Sequence, residues 1–192
     1  MTWKDIKLAT LQKMYSADGK EIPDDAADYV AAMPYAANEA LAMLATAGRY
    51  LIKATTITHD GTNKTYDLKT LTGDYYDIYR IVYENNVRYG EYFNYVLENG
   101  TLIFRGVPAG TYRVYYKAYP AEITADTADT YVLPLPMEVA VLIPLYMASQ
   151  LYKDDDLAVS TTLRNEYEVG FERLSKYVSD GPSEFTSESG WI

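Results

Sequence analysis

Few residues in this chain have the type and spacing that chemistry needs. The single histidine, His59, stands beside Asp60-Gly61 in a stretch that reads as a hairpin turn, where an imidazole is expected to be solvated. To work as a base it would need a thiol or a serine in a GxSxG elbow to activate, and the chain has no cysteine and no such elbow. Asp154-Asp155-Asp156 offers three carboxylates in a row. Consecutive aspartates on a helix point in different directions, and the spaced oxygens and sharp glycine of a calcium loop are missing. A helix junction capped by acids explains them without an ion. Glu166, Glu168 and Glu172 invite a reading as paired acid–base carboxylates. Glu168 and Glu172 do share a helical face, but Arg164 and Lys176 lie within a turn of them, which describes a salt-bridged solvent face. Neither GxxxxGK[ST] nor GxGxxG occurs, so phosphate cradling has no support. The residues therefore point to no enzyme, no cofactor and no metal.

The elements that would carry these residues can be read from periodicity. Thr2-Trp3-Lys4-Asp5 has the form of a capping box, and a first helix is expected from Trp3 to Tyr15. A second follows Ile22-Pro23-Asp24-Asp25, is broken or kinked at Pro34, and ends at Gly48; ten of its residues between Ala26 and Ala47 are alanine. From Arg49 to Pro120 the pattern becomes strands and turns. Residues 111–119 alternate Tyr112, Val114, Tyr116 and Ala118 against Thr111, Arg113, Tyr115 and Lys117, the signature of a half-buried strand. Residues 90–106 form a hairpin around Asn99-Gly100, residues 50–68 read as a second around Asp60-Gly61, and 74–84 as another strand.

Helical periodicity returns after a linker at 121–130. The run YVLPLPMEVAVLIPLYMASQLYKDDD (131–156) is interrupted by Pro134, Pro136, Glu138 and Pro144, so it fails as a membrane span and is expected to be a buried central helix. In a fourth helix Leu163, Tyr167, Phe171, Leu174 and Val178 make one apolar stripe. The expected fold is therefore α+β: an antiparallel bundle of about four helices, with a Tyr-rich antiparallel β-sandwich or barrel inserted between helices 2 and 3. The divisions are 1–48 and 121–179 for the two halves of the bundle, 49–120 for the β insertion, and 180–192 for a C-terminal tail.

With 48% hydrophobic residues in 192, most of the chain is expected to fold. The N-terminal segment carries Lys4, Asp5 and Lys7 and no apolar core, so it is not read as a signal peptide. The net charge of −10 argues against a protein that grips nucleic acid by its phosphates. That charge is uneven. Residues 49–120 hold nine Lys and Arg against seven acids, and the remainder holds eight against twenty. Of 21 tyrosines, 13 fall in 50–119; a pleated sheet explains part of this, and a protein or carbohydrate contact surface is the competing account for the rest. Trp191 and Ile192 close a polar tail that is either disordered or an anchor for a partner.

Residues 115–174 resemble the C-terminal half of the head–tail connector (adaptor) proteins of tailed bacteriophages. The likeness is carried by a strand ending at Tyr116, Tyr119 and Pro120, the linker Ile123 to Thr127, and a helix start at Leu135, Pro136 and Glu138. It continues through ASQLYKDD (148–155) and the spaced Tyr167 and Phe171, and the N-terminal MTWKDIKLATLQKM is similar as well. The resemblance implies a non-enzymatic virion protein of the neck, made in the host bacterial cytoplasm. It would form a homo-oligomeric ring of about twelve between the portal protein and the tail or neck proteins. Double-stranded DNA would pass through without specific binding, and no membrane is involved. It also implies that the C-terminal segment, with Phe185, Trp191 and Ile192, docks on the portal. Tyr75, Tyr79, Tyr83, Tyr115 and Tyr119 are expected to contact neighbouring subunits or the tail. Two other readings are a different neck or tail component, such as a tail-completion or stopper protein, and a carbohydrate-binding module on the tyrosine-rich sheet.

Overall fold

The computed structural model describes residues 1–15, 21–46, 51–84 and 94–178. Contacts gather into two compact units, Met1–Gly48 with Thr124–Ile192 and Arg49–Ile123.

In the first unit, α1 (Trp3–Met14) begins with the capping box intact. The Thr2 hydroxyl accepts from the Asp5 amide at 3.1 Å, and the Asp5 carboxylate accepts from the Thr2 amide at 2.8 Å. Two further amides of the first turn, Trp3 and Lys4, donate to the carbonyls of Tyr131 and Asp129. The start of the helix is thus fastened to a segment 125 to 128 positions away in the chain, and its exposed donors are satisfied. A 3₁₀ turn at Asp24–Ala26 leads into α2 (Ala27–Thr46), which stays helical through Pro34.

The proline-studded run is not one helix but α4 (Met137–Ala140) and α5 (Ile143–Leu151). Pro144 has no amide to give to the Ala140 carbonyl and disfavours helical backbone at the residue before it, so the helix restarts there. α5 buries Ile143, Pro144, Tyr146, Met147, Ala148 and Ser149 and packs against α1, α2 and α6 (Leu157–Val178). Its last turn is tied down by Ser160, whose hydroxyl donates to the Ser149 carbonyl at 2.7 Å. No helix among the described residues is long and apolar enough to cross a membrane.

Among its described residues the second unit holds two three-stranded antiparallel sheets, and no barrel closes there. β1 (Leu51–His59) and β3 (Tyr75–Tyr83) flank β6 (Gly110–Ala118), while β2 (Lys64–Asp67) and β4 (Val96–Glu98) flank β5 (Thr101–Phe104). α3 (Leu68–Thr72) follows β2 and is capped by Asp67. Asn99 and Gly100 both take positive φ, 51° and 84°, as a tight turn between β4 and β5 requires.

The hairpin expected around Asp60-Gly61 does not form, because β1 pairs with β6 and β2 with β5. The Asp60 carboxylate accepts from the Thr62 amide and hydroxyl and pairs with Lys64, bending the chain out of one sheet and into the other. Residues of both sheets and of α3, among them Leu68, Ile81, Leu102, Phe104, Tyr112 and Val114, meet in one apolar core.

These local caps give the stability a sign with pH. Hydrogen bonds from Thr2 hold the Asp5 carboxyl below its ordinary 3.8, and Thr70 and Lys69 do the same for Asp67. Lys64 and Thr62 hold Asp60 lower still. A carboxyl depressed by folding contributes stability above its unfolded pKa and loses it as pH falls through the folded one. The melting temperature is therefore expected to be flat from neutrality to about pH 5 and to fall below about pH 4. Thr2→Ala should cost about 1 kcal/mol in urea unfolding at pH 7. A cost below a few tenths of that would show that the box does not hold the helix.

Candidate functional site

The histidine is not where a solvated turn residue would be. His59 ends β1, opposite Gly110, and is 2% exposed. Its ring lies among Phe104 (centroids 5.0 Å apart), Tyr66 and Tyr112 (both 6.1 Å). Nδ1 is 3.0 Å from the Tyr66 hydroxyl, and Nε2 is buried with no partner. An imidazole sealed among three rings reaches no substrate, so it is a core residue.

The acids separate in the same way. Asp155 accepts from the Tyr29 hydroxyl at 2.7 Å, and Asp156 accepts from the amides of Ala158 and Val159 at the start of α6. They cap and join helices, as a junction requires. Among the described residues no three His, Cys, Asp or Glu side chains gather as a metal ion would need. Glu168 pairs with Arg164 at 2.6 Å, and Arg164 lies 5.0 Å over the ring of Tyr146, whose hydroxyl donates to Glu39 at 3.1 Å. Burial and then the Glu39 carboxylate raise the Tyr146 pKa. Tyr167, fully buried beside it, is pushed up to about 12 by desolvation, and its hydroxyl has no partner. This network holds α2, α5 and α6 together; its phenols stay protonated and its carboxylates are occupied.

What remains are surfaces. A groove of about 420 Å³ lies between α1 and the start of α2, lined by Trp3, Lys7, Pro23, Val30 and Pro34. A second, of about 520 Å³, follows α6 along Thr162, Glu166, Val169 and Arg173, with Leu145 of α5. Its floor is Gly170, where a Cβ would come within 2.5 Å of Leu142 Cδ2, so a side chain there would displace Leu142.

The tyrosines of the second unit do not share one face. In β3, residues opposite Tyr112, Val114, Tyr116 and Ala118 face the core: Tyr83, Ile81, Ile78 and Tyr75. Val82, Arg80 and Asp77, opposite Arg113, Tyr115 and Lys117, face the other way. The ladder slips between Tyr75 and Asp77 and again between Ile78 and Arg80, so Tyr76 and Tyr79 stand opposite no residue and turn outward.

Of the five expected contact tyrosines, Tyr75 is therefore packed in the core, its pKa pushed up to about 12 by burial. Tyr83 packs on the same core and donates to the Ala109 carbonyl. Tyr79 is 56% exposed, Tyr119 is exposed and meets the ring of Tyr76 at 5.0 Å, and Tyr115 lies half-buried on the outward face under Arg80. Tyr76 and Arg80 were not legible as surface residues of this kind, because a bulge is a register event with no sequence period. Phe185, Trp191 and Ile192 lie outside the described residues.

A family model described as SU10 adaptor protein matches residues 1–186 of the chain. No curated protein matches it.

Proposed function

This chain belongs to the SU10 adaptor protein family, and on that premise we propose that it is a non-enzymatic ring adaptor placed between the portal and the tail of a bacteriophage. The family match, which leaves only the last six residues outside it, carries the reading. In the assembly the helices form an antiparallel bundle around a channel for double-stranded DNA, and the β unit is a sandwich that reaches tail or neck proteins. An acidic helical unit supports this role, since twenty acids against eight bases outside 49–120 repel the DNA backbone and let it pass without sticking. The C-terminal segment supplies the portal anchor through Phe185, Trp191 and Ile192, where a buried aromatic can dominate an interface.

The test is a mass measurement of the purified 21.7 kDa chain, alone and mixed with its portal. A ring of about twelve copies on the portal is the expected result. Deleting 180–192 should weaken portal affinity at least about tenfold and leave the helical circular dichroism unchanged. A chain that stays monomeric with the portal present would overturn the adaptor reading, and an unchanged affinity after the deletion would overturn the anchor.

A further inference from the structure

We infer that the outward face of the β1-β6-β3 sheet, centred on Tyr79, Arg80 and Tyr115, is a preformed docking surface for the acidic helical unit of a second copy of this chain. The inference rests on the ring reading and gives it a surface and a polarity.

Arg80 is the residue that singles this face out. It is exposed, its guanidinium lies 4.5 Å from the centroid of the Tyr115 ring and 6.0 Å from that of Tyr79, and it makes no ion pair among the described residues. The other two cations of the face are engaged, Arg113 with Glu84 and Lys117 with Asp77, each at 3.0 Å. Arg80 is therefore the cation here whose fork is left for an incoming carboxylate. Stacking on a ring has already removed part of its rotamer freedom, so less is lost when it docks.

The two bulges of β3 work in the same direction. Each gives up regular ladder pairing, and together they bring Tyr76 and Tyr79 out beside Arg80. Exposed tyrosine and arginine in one rigid patch are the residue types that dominate protein interfaces.

Charge selects the partner. The β unit is slightly basic in sequence, with nine bases to seven acids over 49–120, while the remainder is strongly acidic. Two helical units repel each other, and two β units gain nothing from pairing like with like. A β unit against a helical unit is attractive, and because that contact joins different surfaces it propagates head to tail, as closure of a ring requires. A polyanion such as DNA is disfavoured, since Asp77 and Glu84 share the face and the whole chain carries −10.

The experiment is sedimentation of the full chain over a concentration series, at low and high salt and with and without portal, for wild type, Arg80→Ala, Arg80→Glu and Tyr79→Ala. Arg80→Ala and Tyr79→Ala should each weaken copy-to-copy association about 10–100-fold. Arg80→Glu should weaken it more, and high salt should weaken the wild type. Circular dichroism should be unchanged, because these side chains are exposed. Where wild type assembles only on the portal, the same losses are expected there.

Rings formed by Arg80→Ala with wild-type affinity would overturn the inference and leave the adaptor reading standing. So would loss of glycan or duplex-DNA binding in Arg80→Ala with association intact. A wild type that never assembles, even on the portal, would remove the adaptor reading and this surface with it.

Discussion

Trp3→Ala is expected to destabilise the helical unit by about 3–5 kcal/mol, a large part of what a small unit possesses. Trp3 is 2% exposed although it is the first residue of α1. Its backbone is held by the Tyr131 carbonyl at 2.7 Å, and its ring carries the Lys7 ammonium 5.8 Å from the centroid. Lys7 in turn pairs with Asp129 at 2.5 Å, so the indole and the ion pair fasten α1 to the segment that leads into α4. Removing the ring exposes apolar walls of the adjoining groove and frees the lysine stem that lay on it. Trp3→Phe, which keeps much of the apolar contact, should cost about half as much. The readout is urea unfolding followed by circular dichroism at helical wavelengths. A cost below about 1 kcal/mol would mean that the site is filled by collapse around it and that the clamp is dispensable.

The parts of the fold that were readable in the sequence are those where local chemistry and tertiary environment agree. The alternation of 111–118 survives as buried Tyr112, Val114, Tyr116 and Ala118 because β6 is the central strand, with partners on both sides to fix its register. Thr2 and Asp5 form their capping box, and Asn99-Gly100 makes its turn, because each needs nothing beyond its own neighbours. The stripe on α6 is buried at Leu163, Tyr167 and Leu174, with Phe171 half-buried, because the helical period meets the packing against α5.

What was not readable depends on partners distant in sequence. His59 looked solvated because Asp60-Gly61 looked like a hairpin tip; once β1 pairs with β6, the same residue points into the core. Pro144 divides a run whose composition reads as one helix. Of the contact surface, Tyr79 and Tyr115 were named by residue type. Arg80 was missed, since an arginine on a polar strand face resembles any solvated cation until Tyr115 is found beneath it.

Tyr112→Ala should cost the β unit about 3–5 kcal/mol, as the removal of a fully buried aromatic from a packed core generally does. Tyr112 stacks on Tyr83 at 4.8 Å and 29°, touches Phe104 at 4.8 Å and borders His59. Its loss leaves three rings facing one cavity. Its hydroxyl donates to the Pro108 carbonyl at 2.9 Å, so Tyr112→Phe should cost only about 1 kcal/mol.

The comparison with Arg80→Ala separates fold from contact. Tyr112 faces the core from β6, while Arg80 of β3 stands opposite Tyr115 on the other face of the sheet, so one substitution empties the core and the other strips the surface. Tyr112→Ala should lose the β unit's share of the near-ultraviolet tyrosine signal together with assembly, and Arg80→Ala should lose assembly alone. If the two compact units unfold independently, Trp3→Ala moves only the transition of the helical unit and Tyr112→Ala only that of the β unit. If each substitution moves both transitions equally, the units fold as one cooperative body, and stability lost in the core of the β unit weakens the helical frame by the same amount.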